Sequence, residues 1–273
     1  MAGHNNWITT NLRDRKRDPK INFQITLNPQ PFHAMSFDAA ADLNAQRIAA
    51  RSNNIWLALS GGMDSEFVAN VFLRNSIPFT PIIFSDTIYP DESHNAIHWC
   101  KLNGIKPFMI SDTFDNTRFS EKLTQICRSL NLISINGALQ IYFSHIVNKE
   151  GGQLVTGLGD PFDVDHPVYP DVMTTKIEIP EWDFYIDELT TGNVGAFYSY
   201  SSELMHAMVR DMDYSLSLQE AKSKIYGIHF RTKIRNYSKT ISSVYDLMSE
   251  KLGEDYFRMG NRDDVLASFP VIP

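Results

Sequence analysis

One short segment of the chain combines backbone freedom with a carboxylate and two hydroxyls. The segment is Ser60-Gly61-Gly62-Met63-Asp64-Ser65, and it directly follows an apolar run that ends at Leu59. Adjacent glycines can adopt backbone conformations that a side chain would block, so several N–H groups can surround an anion. Ser60 and Ser65 add hydroxyl donors, and Asp64 could bind a Mg²⁺ ion that bridges its carboxylate to phosphate oxygens. The segment therefore indicates a phosphate-binding loop.

The elements on either side would position this loop. Residues 55–59 are continuously apolar, which predicts a buried strand. After the glycines, Met63, Phe67 and Val71 recur at helical spacing, so the loop opens a helix whose dipole favours negative charge at its N-terminus. No lysine follows the glycines, which distinguishes the loop from the Walker-type motif G-x-x-x-x-G-K-[ST].

Residues 60–65 match the pattern S-G-G-x-D-S and so resemble the pyrophosphate loop of the N-type ATP pyrophosphatases, which include asparagine synthetase, NAD synthetase and GMP synthetase. Five specified residue types coincide by chance about once in a million positions at average composition. The resemblance implies that Leu59 and the loop bind ATP and that Asp64 binds Mg²⁺. It also implies cleavage between the α and β phosphates, with AMP transferred to a carboxylate or amide-like oxygen that a nucleophile then attacks.

Strands and helices alternate after the loop. Apolar runs predict further strands at residues 81–85, 107–110 and 153–156, and the segments between them have helical periodicity. This order predicts a parallel sheet with right-handed crossovers. The expected fold is α/β, a parallel twisted sheet with helices on both faces. The resemblance implies the adenine nucleotide alpha hydrolase-like, or HUP, type, with a helical C-terminal region.

Ligands of such sheets bind beyond the carboxyl ends of the strands. The loops that begin at Ser60, Ser85, Ser111 and Gly157 are therefore expected to converge. Residues 1–35 are interpreted as an N-terminal arm with a short strand, and residues 36–160 as the pyrophosphatase core. Residues 161–273 are interpreted as an irregular, lid-like segment, with a short strand at 176–179, followed by helices that complete the site.

The loop after the fourth predicted strand contributes candidate ligands. In Thr156-Gly157-Leu158-Gly159-Asp160 the two glycines permit close backbone approach, and Asp160 could bind a metal or an amine. The segment resembles the T-G-E-G-x-D element of asparagine synthetases. However, Leu158 replaces the acid and the aspartate comes one residue early, so Asp163 is the other metal candidate. The alternative is an ordinary turn between a strand and a loop.

Ser85 and Asp86 follow the second predicted strand, where pyrophosphatase relatives contact the adenosine. The order Asp86-Thr87-Ile88-Tyr89-Pro90-Asp91-Glu92 resembles the D-T-G-x-x-x-P-E-T segment of sulfonucleotide reductases. Helix capping is the alternative role for Asp86 and Asp91.

A basic stretch near the C-terminus is the source of candidate cations. Residues 221–239 contain no acid, and their basic residues are Lys222, Lys224, Arg231, Lys233, Arg235 and Lys239. Such cations could neutralise charge as pyrophosphate leaves. A solvated helix face and a polynucleotide-binding groove are the alternatives. A similarity of residues 222–226 to the K-x-x-L-R element of asparagine synthetases makes Lys224 the first candidate and Lys222 the second, with Lys233 left open.

Residues 11–20 are basic and nearly without apolar side chains, which predicts a solvated arm. This arm and residues 222–239 are the candidates for contact with RNA. The net charge of −7 argues against a protein that coats nucleic acid with its whole surface. No apolar stretch reaches membrane-spanning length and no secretion signal precedes the arm, so a cytoplasmic protein is expected.

The two cysteines, Cys100 and Cys127, form no C-x-x-C pair, which disfavours the zinc-bearing deazaguanine synthases and iron–sulfur tRNA thiolases among the relatives. The chain also lacks the initial Met-Cys of glutamine-hydrolysing asparagine synthetases, so any ammonia is expected from solution or a partner. An amide ligase like asparagine synthetase, using ATP and Mg²⁺ on a small-molecule substrate, is the leading hypothesis. The alternatives are an enzyme that modifies a nucleobase or tRNA, a sulfonucleotide reductase-like enzyme, and a non-catalytic nucleotide- or RNA-binding module.

Overall fold

The computed structural model describes residues 7–18, 21, 24–28, 35–85, 90–111, 117–130, 132, 135–158, 161–163, 173–180, 195–213, 215–229 and 264–271. These residues form a two-stranded, a four-stranded and a three-stranded sheet, with helices between the strands. Among the helices so described, none combines the length and the apolar character needed to cross a bilayer.

The N-terminal segment folds onto the body of the protein. Strand β1 (Ile8–Thr10) pairs antiparallel with β2 (Ile25–Leu27), and helix α1 (Leu12–Arg17) connects them. The expectation of a solvated arm is wrong for Leu12 and Arg15, which are buried. The Arg15 guanidinium donates a hydrogen bond to the carbonyl of Ile21 at 2.9 Å. A single leucine in six residues gives too weak a periodicity to predict this helix.

The central sheet is parallel throughout. After helix α2 (Phe37–Ala49), which Ser36 caps through its hydroxyl, the chain forms β3 (Ile55–Ala58), α3 (Met63–Arg74), β4 (Thr80–Phe84) and α4 (Pro90–Leu102). It continues through β5 (Phe108–Ile110), α5 (Thr117–Leu130), α6 (Ile135–Lys149) and β6 (Gln153–Val155). The strand order is β5-β4-β3-β6. The order therefore reverses between β3 and β6, and sheets of this kind bind ligands at such a point.

Helices cover both faces of this sheet, as expected for the α/β class. The side chains of β3 alternate, as successive residues of a strand must. Ile55 and Leu57 pack into one core with α2, α3 and α4, whereas Trp56 and Ala58 pack into the opposite core with α5 and α6. Strand β3 is therefore buried on both sides. Its packing fixes the position of the first residue of the loop that follows it.

The C-terminal region contains helices α7 (Ser202–Asp211) and α8 (Leu218–Tyr226). It also contains an antiparallel sheet of β7 (Pro161–Asp163), β8 (Met173–Pro180) and β9 (Asp264–Val271), in the order β7-β8-β9. The strand predicted at 176–179 is confirmed within β8, whereas β9 was missed. It carries Pro270 at a sheet edge, where proline is tolerated because no ladder hydrogen bond needs its missing N–H. Residues 230–263 of the C-terminal region, which the sequence predicts to be helical, lie outside the described residues.

Candidate active site

The backbone after β3 forms an open turn at the N-terminus of α3. Leu59 N still bonds to the carbonyl of Ile82 at 3.0 Å, and Gly61 then takes a positive φ of 87°. Gly62 is the N-cap of α3 and supplies no side-chain cap. No N-cap side chain therefore bonds the N–H groups in the first turn of α3. These groups can bind an anion.

The two serines of the loop are bonded to each other and to the loop backbone. The Ser65 hydroxyl accepts from Ser60 N at 3.2 Å, donates to the carbonyl of Gly62 at 3.2 Å and lies 3.1 Å from the Ser60 hydroxyl. Ser65 is buried, whereas Ser60 is exposed. Ser65 thus braces the turn from inside, and Ser60 is the hydroxyl positioned to meet a ligand.

Gly157, just after β6, lies directly behind the loop. A Cβ atom at this position would lie 2.8 Å from Ser65 N and 2.9 Å from Ser65 Cα. Only glycine fits there, because the neighbouring atoms are backbone and cannot move aside cheaply. The predicted convergence is therefore confirmed for the Ser60 and Gly157 loops. Ser85 directly follows β4, and its N–H donates to the carbonyl of Ile110 at 2.9 Å.

We expect Gly157→Ala to displace the first turn of α3. Overpacking of this kind costs about 1–3 kcal/mol of unfolding free energy, and a misplaced binding group can cost on the order of a hundredfold in function. Urea unfolding and calorimetric titration with inorganic pyrophosphate would measure the two effects. The matched control is Gly104→Ala. Gly104 has a positive φ but nothing within 4 Å of its Cβ position, so this change should lower stability without weakening pyrophosphate binding. Wild-type affinity in Gly157→Ala would contradict the expectation.

Helix α8 brings a cation to Asp64. The capping box of Ser217 and Glu220 begins this helix, and Gly227, with φ of 64°, ends it. Lys222 Nζ lies 3.2 Å from Asp64 Oδ1. The side chain of Lys222 is only 7% exposed, whereas that of Asp64 is 34% exposed. The ammonium of a buried lysine therefore lies next to the carboxylate of the loop.

Lys224, the first candidate from the sequence, lies elsewhere. Its side chain is 66% exposed, and its Nζ bonds to Asp213 Oδ2 at 2.8 Å. This lysine and the Ser215 hydroxyl, as donors, lower the pKa of Asp213 to about 2. Residues two apart on a helix are about 200° apart around its axis, so Lys222 and Lys224 cannot face the same group. The geometry therefore places Lys222 rather than Lys224 at the loop.

Two tyrosines complete the surroundings of Asp64. Tyr226 Oη donates to Asp64 Oδ1 at 3.0 Å, and Tyr198 Oη donates to the Asp64 main-chain carbonyl at 3.1 Å. Their rings form a stack with Phe67 of α3 and Phe37 of α2. Sequence reasoning missed both tyrosines. The available signal for Tyr226 was its position four residues after Lys222, which puts both on one face of a helix.

The residues fit a magnesium ion held together with phosphate. Within the described part of the chain, no group of three or more His, Cys, Asp or Glu side chains could form a metal cage. Magnesium typically binds through one or two carboxylates plus phosphate oxygens. Asp64, partly exposed in the first turn of α3, is a carboxylate of that kind.

Other predicted site residues remain predictions. Asp86, Gly159, Asp160 and Lys233 lie outside the described residues. The alternative metal candidate Asp163 lies in β7, and Asp91 lies in the first turn of α4.

Several solved structures resemble this chain, but they share little sequence with it. No family model matches the chain, and no curated protein matches it. Similar solved structures include an NH3-dependent NAD synthetase from Campylobacter jejuni in complex with the nitrate ion, with 13% identity, TM-score 0.39, and coverage of 83% of this chain and 92% of that one. NMN synthetase from Francisella tularensis has 10% identity and TM-score 0.36, with 82% and 97% covered. A predicted subunit of tRNA methyltransferase from Methanocaldococcus jannaschii has 14% identity and TM-score 0.28, with 72% and 74% covered.

Proposed function

We propose that this protein is an N-type ATP pyrophosphatase that adenylates its substrate. The observation that carries the proposal is that three features lie next to one another in the structure. These are the open, S-G-G-x-D-S turn with Gly61 at positive φ, the carboxylate of Asp64, and the buried ammonium of Lys222 at 3.2 Å from that carboxylate. Backbone donors, a metal-binding carboxylate and a cation together suit the binding of a pyrophosphate group.

The residues would act mainly on the leaving group. A substrate oxygen attacks the α phosphorus, the bond from that phosphorus to the bridging oxygen breaks, and pyrophosphate leaves with the electron pair. The N–H groups of the loop and the Ser60 hydroxyl hold the pyrophosphate oxygens, and Lys222 neutralises the charge that develops on them. A magnesium ion on Asp64 supplies further neutralisation when bound. The remaining product is an adenylated substrate.

Among adenylating reactions, we propose an amide ligase like asparagine synthetase. Ammonia from solution or from a partner would attack the carbonyl carbon of the acyl-adenylate, and AMP would leave. The cysteines support this choice over chemistry that needs a thiolate. Burial raises the pKa of Cys100 to about 11, and Cys127 is also buried. With its pKa raised, the Cys100 thiol is a poor nucleophile at neutral pH.

An enzyme that modifies a nucleobase or tRNA is the second candidate, and one observation favours it. Helix α1 exposes Arg13, Lys16 and Arg17 within six residues. Clustered basic side chains of this kind contact phosphate backbones. In this candidate the same loop would adenylate an oxygen of the base.

A product assay tests the proposal. The protein would be incubated with ATP, Mg²⁺ and ammonia, together with either a panel of small carboxylic acids or bulk tRNA. We expect AMP and pyrophosphate in equal amounts, formed only when the correct substrate is present. Formation of ADP and phosphate would overturn the proposal, because it places the cleaved bond between the β and γ phosphates. Turnover that requires tRNA would favour the second candidate.

A further inference from the structure

The hydroxyl of Tyr226 and the ammonium of Lys222 reach the same oxygen atom. Tyr226 Oη lies 3.0 Å and Lys222 Nζ lies 3.2 Å from Asp64 Oδ1. The two residues are four apart on α8, so they project from one face of the helix. Among the described residues, no hydrogen bond reaches the other carboxylate oxygen, Oδ2. Both donors therefore hold the Asp64 carboxylate through the same oxygen, Oδ1.

The two donors differ in how firmly they are placed. A lysine ammonium is a point charge on a flexible stem, so it neutralises charge without fixing an orientation. The ring of Tyr226, by contrast, is stacked on Phe67 with centroids 4.6 Å apart and planes 20° apart. It also stacks on Phe37 at 5.9 Å and on Tyr198 at 5.8 Å. Packing on these rings fixes the phenol, so its hydroxyl is held at one point.

A donor fixed in this way restricts rotation of the carboxylate it bonds. A metal ligand performs best when a neighbouring donor holds its orientation, and loss of such a donor typically costs about 10–100-fold in metal affinity or activity. With Oδ1 bonded to Tyr226, the plane of the Asp64 carboxylate is set by α8 rather than by the loop itself. Oδ2, to which no described donor bonds, is then the oxygen left to bind a metal ion.

We propose that Tyr226 is a positioning residue that orients the Asp64 carboxylate to bind magnesium through Oδ2. The proposal rests on the proposed function, because it assigns the metal to this loop. Tyr226 itself touches neither the nucleotide nor the metal. Its effect is therefore confined to the part of phosphate binding that depends on the metal.

The paired variants Tyr226→Phe and Tyr198→Phe test this role. Each removes one hydroxyl and keeps a ring in the same stack, but only Tyr226 bonds the Asp64 carboxylate, whereas Tyr198 bonds its main-chain carbonyl. The probe is inorganic pyrophosphate, titrated calorimetrically with Mg²⁺ and again with EDTA. Tyr226→Phe should lower the affinity with Mg²⁺ about tenfold and leave the affinity in EDTA within twofold. Tyr198→Phe should leave the ratio of the affinity with Mg²⁺ to the affinity in EDTA within twofold of the wild-type ratio.

The other outcomes overturn the proposal in distinguishable ways. An unchanged Mg²⁺ affinity in Tyr226→Phe removes the role in orientation. Equal losses with Mg²⁺ and with EDTA, or equal losses in both variants, show that the hydroxyl only supports the loop or the ring stack. In each of these cases the proposed function stands. A wild-type protein that binds pyrophosphate under neither condition overturns the proposed function and this inference with it.

Discussion

Asp64→Asn should reduce the release of pyrophosphate from ATP on the order of a hundredfold or more, with little change in fold. The asparagine keeps the size of the side chain and an oxygen that can accept from Tyr226 Oη. It loses the negative charge that pairs with Lys222 at 3.2 Å and that would bind Mg²⁺ in the proposed function. The loss should therefore appear in the rate of the chemical step, measured by coupled detection of pyrophosphate at saturating ATP and substrate.

Glu66→Gln is the matched control for this change. Glu66 lies in the same first turn of α3, so its replacement removes one negative charge from the same helix terminus. Because residues two apart lie on opposite sides of a helix, Glu66 does not share the direction of Asp64. We expect its rate to stay within about threefold of wild type, because its carboxylate is not on the side of the helix that carries Asp64. If Asp64→Asn also stays within this range, Asp64 is not the metal ligand.

Lys222→Met should have the second large effect. Methionine fills the volume of the buried lysine stem but carries no charge. In the proposed reaction the pyrophosphate would then leave without the charge of Lys222, and removal of one such stabilising group typically costs about 10²–10³ in kcat. The rate of pyrophosphate release at saturating ATP measures this loss, and circular dichroism on heating checks that the variant is folded.

Lys224→Met is the matched control for Lys222→Met. It removes the same charge from the same helix, two residues away, but from a side chain that is 66% exposed and bonded to Asp213. We expect a rate within about threefold of wild type, because an exposed ion pair contributes little. The reverse result, with Lys224→Met the slower enzyme, would restore the assignment that the sequence alone favoured and remove Lys222 from the mechanism.

The sequence predicted the local parts of the site well. The strand, loop and helix around residues 55–74 form from neighbours in the chain, so an apolar run, two glycines and a helical period were enough to place them. The parallel sheet also followed, because alternating strands and helices have few stable arrangements. Helix α1 was missed because it carries no strong pattern of its own, and strand β9 was missed because Pro270 lies inside its apolar run and argues against a strand.

The contacts between distant segments could not be predicted in this way. Whether Lys222 or Lys224 faces Asp64 depends on the rotation of α8 about its axis, and the stacking of Tyr226 on Phe67 sets that rotation. A motif comparison that tolerates a shift of two residues cannot resolve this difference. The close approach of Gly157 to Ser65 is similarly a product of the β3–β6 pairing rather than of either segment alone.

The hydrogen bond from Tyr226 to Asp64 spans 162 residues of the chain, and this separation has a consequence for biosynthesis. A chain emerging from the ribosome completes the glycine turn and its helix long before α8 is made, since contacts distant in sequence form late. Until then the turn lacks the ammonium of Lys222. The contacts of Lys222 and Tyr226 with Asp64 therefore cannot form in a nascent chain before residue 226 has been made, and under the proposed function ATP cleavage would begin only after that point.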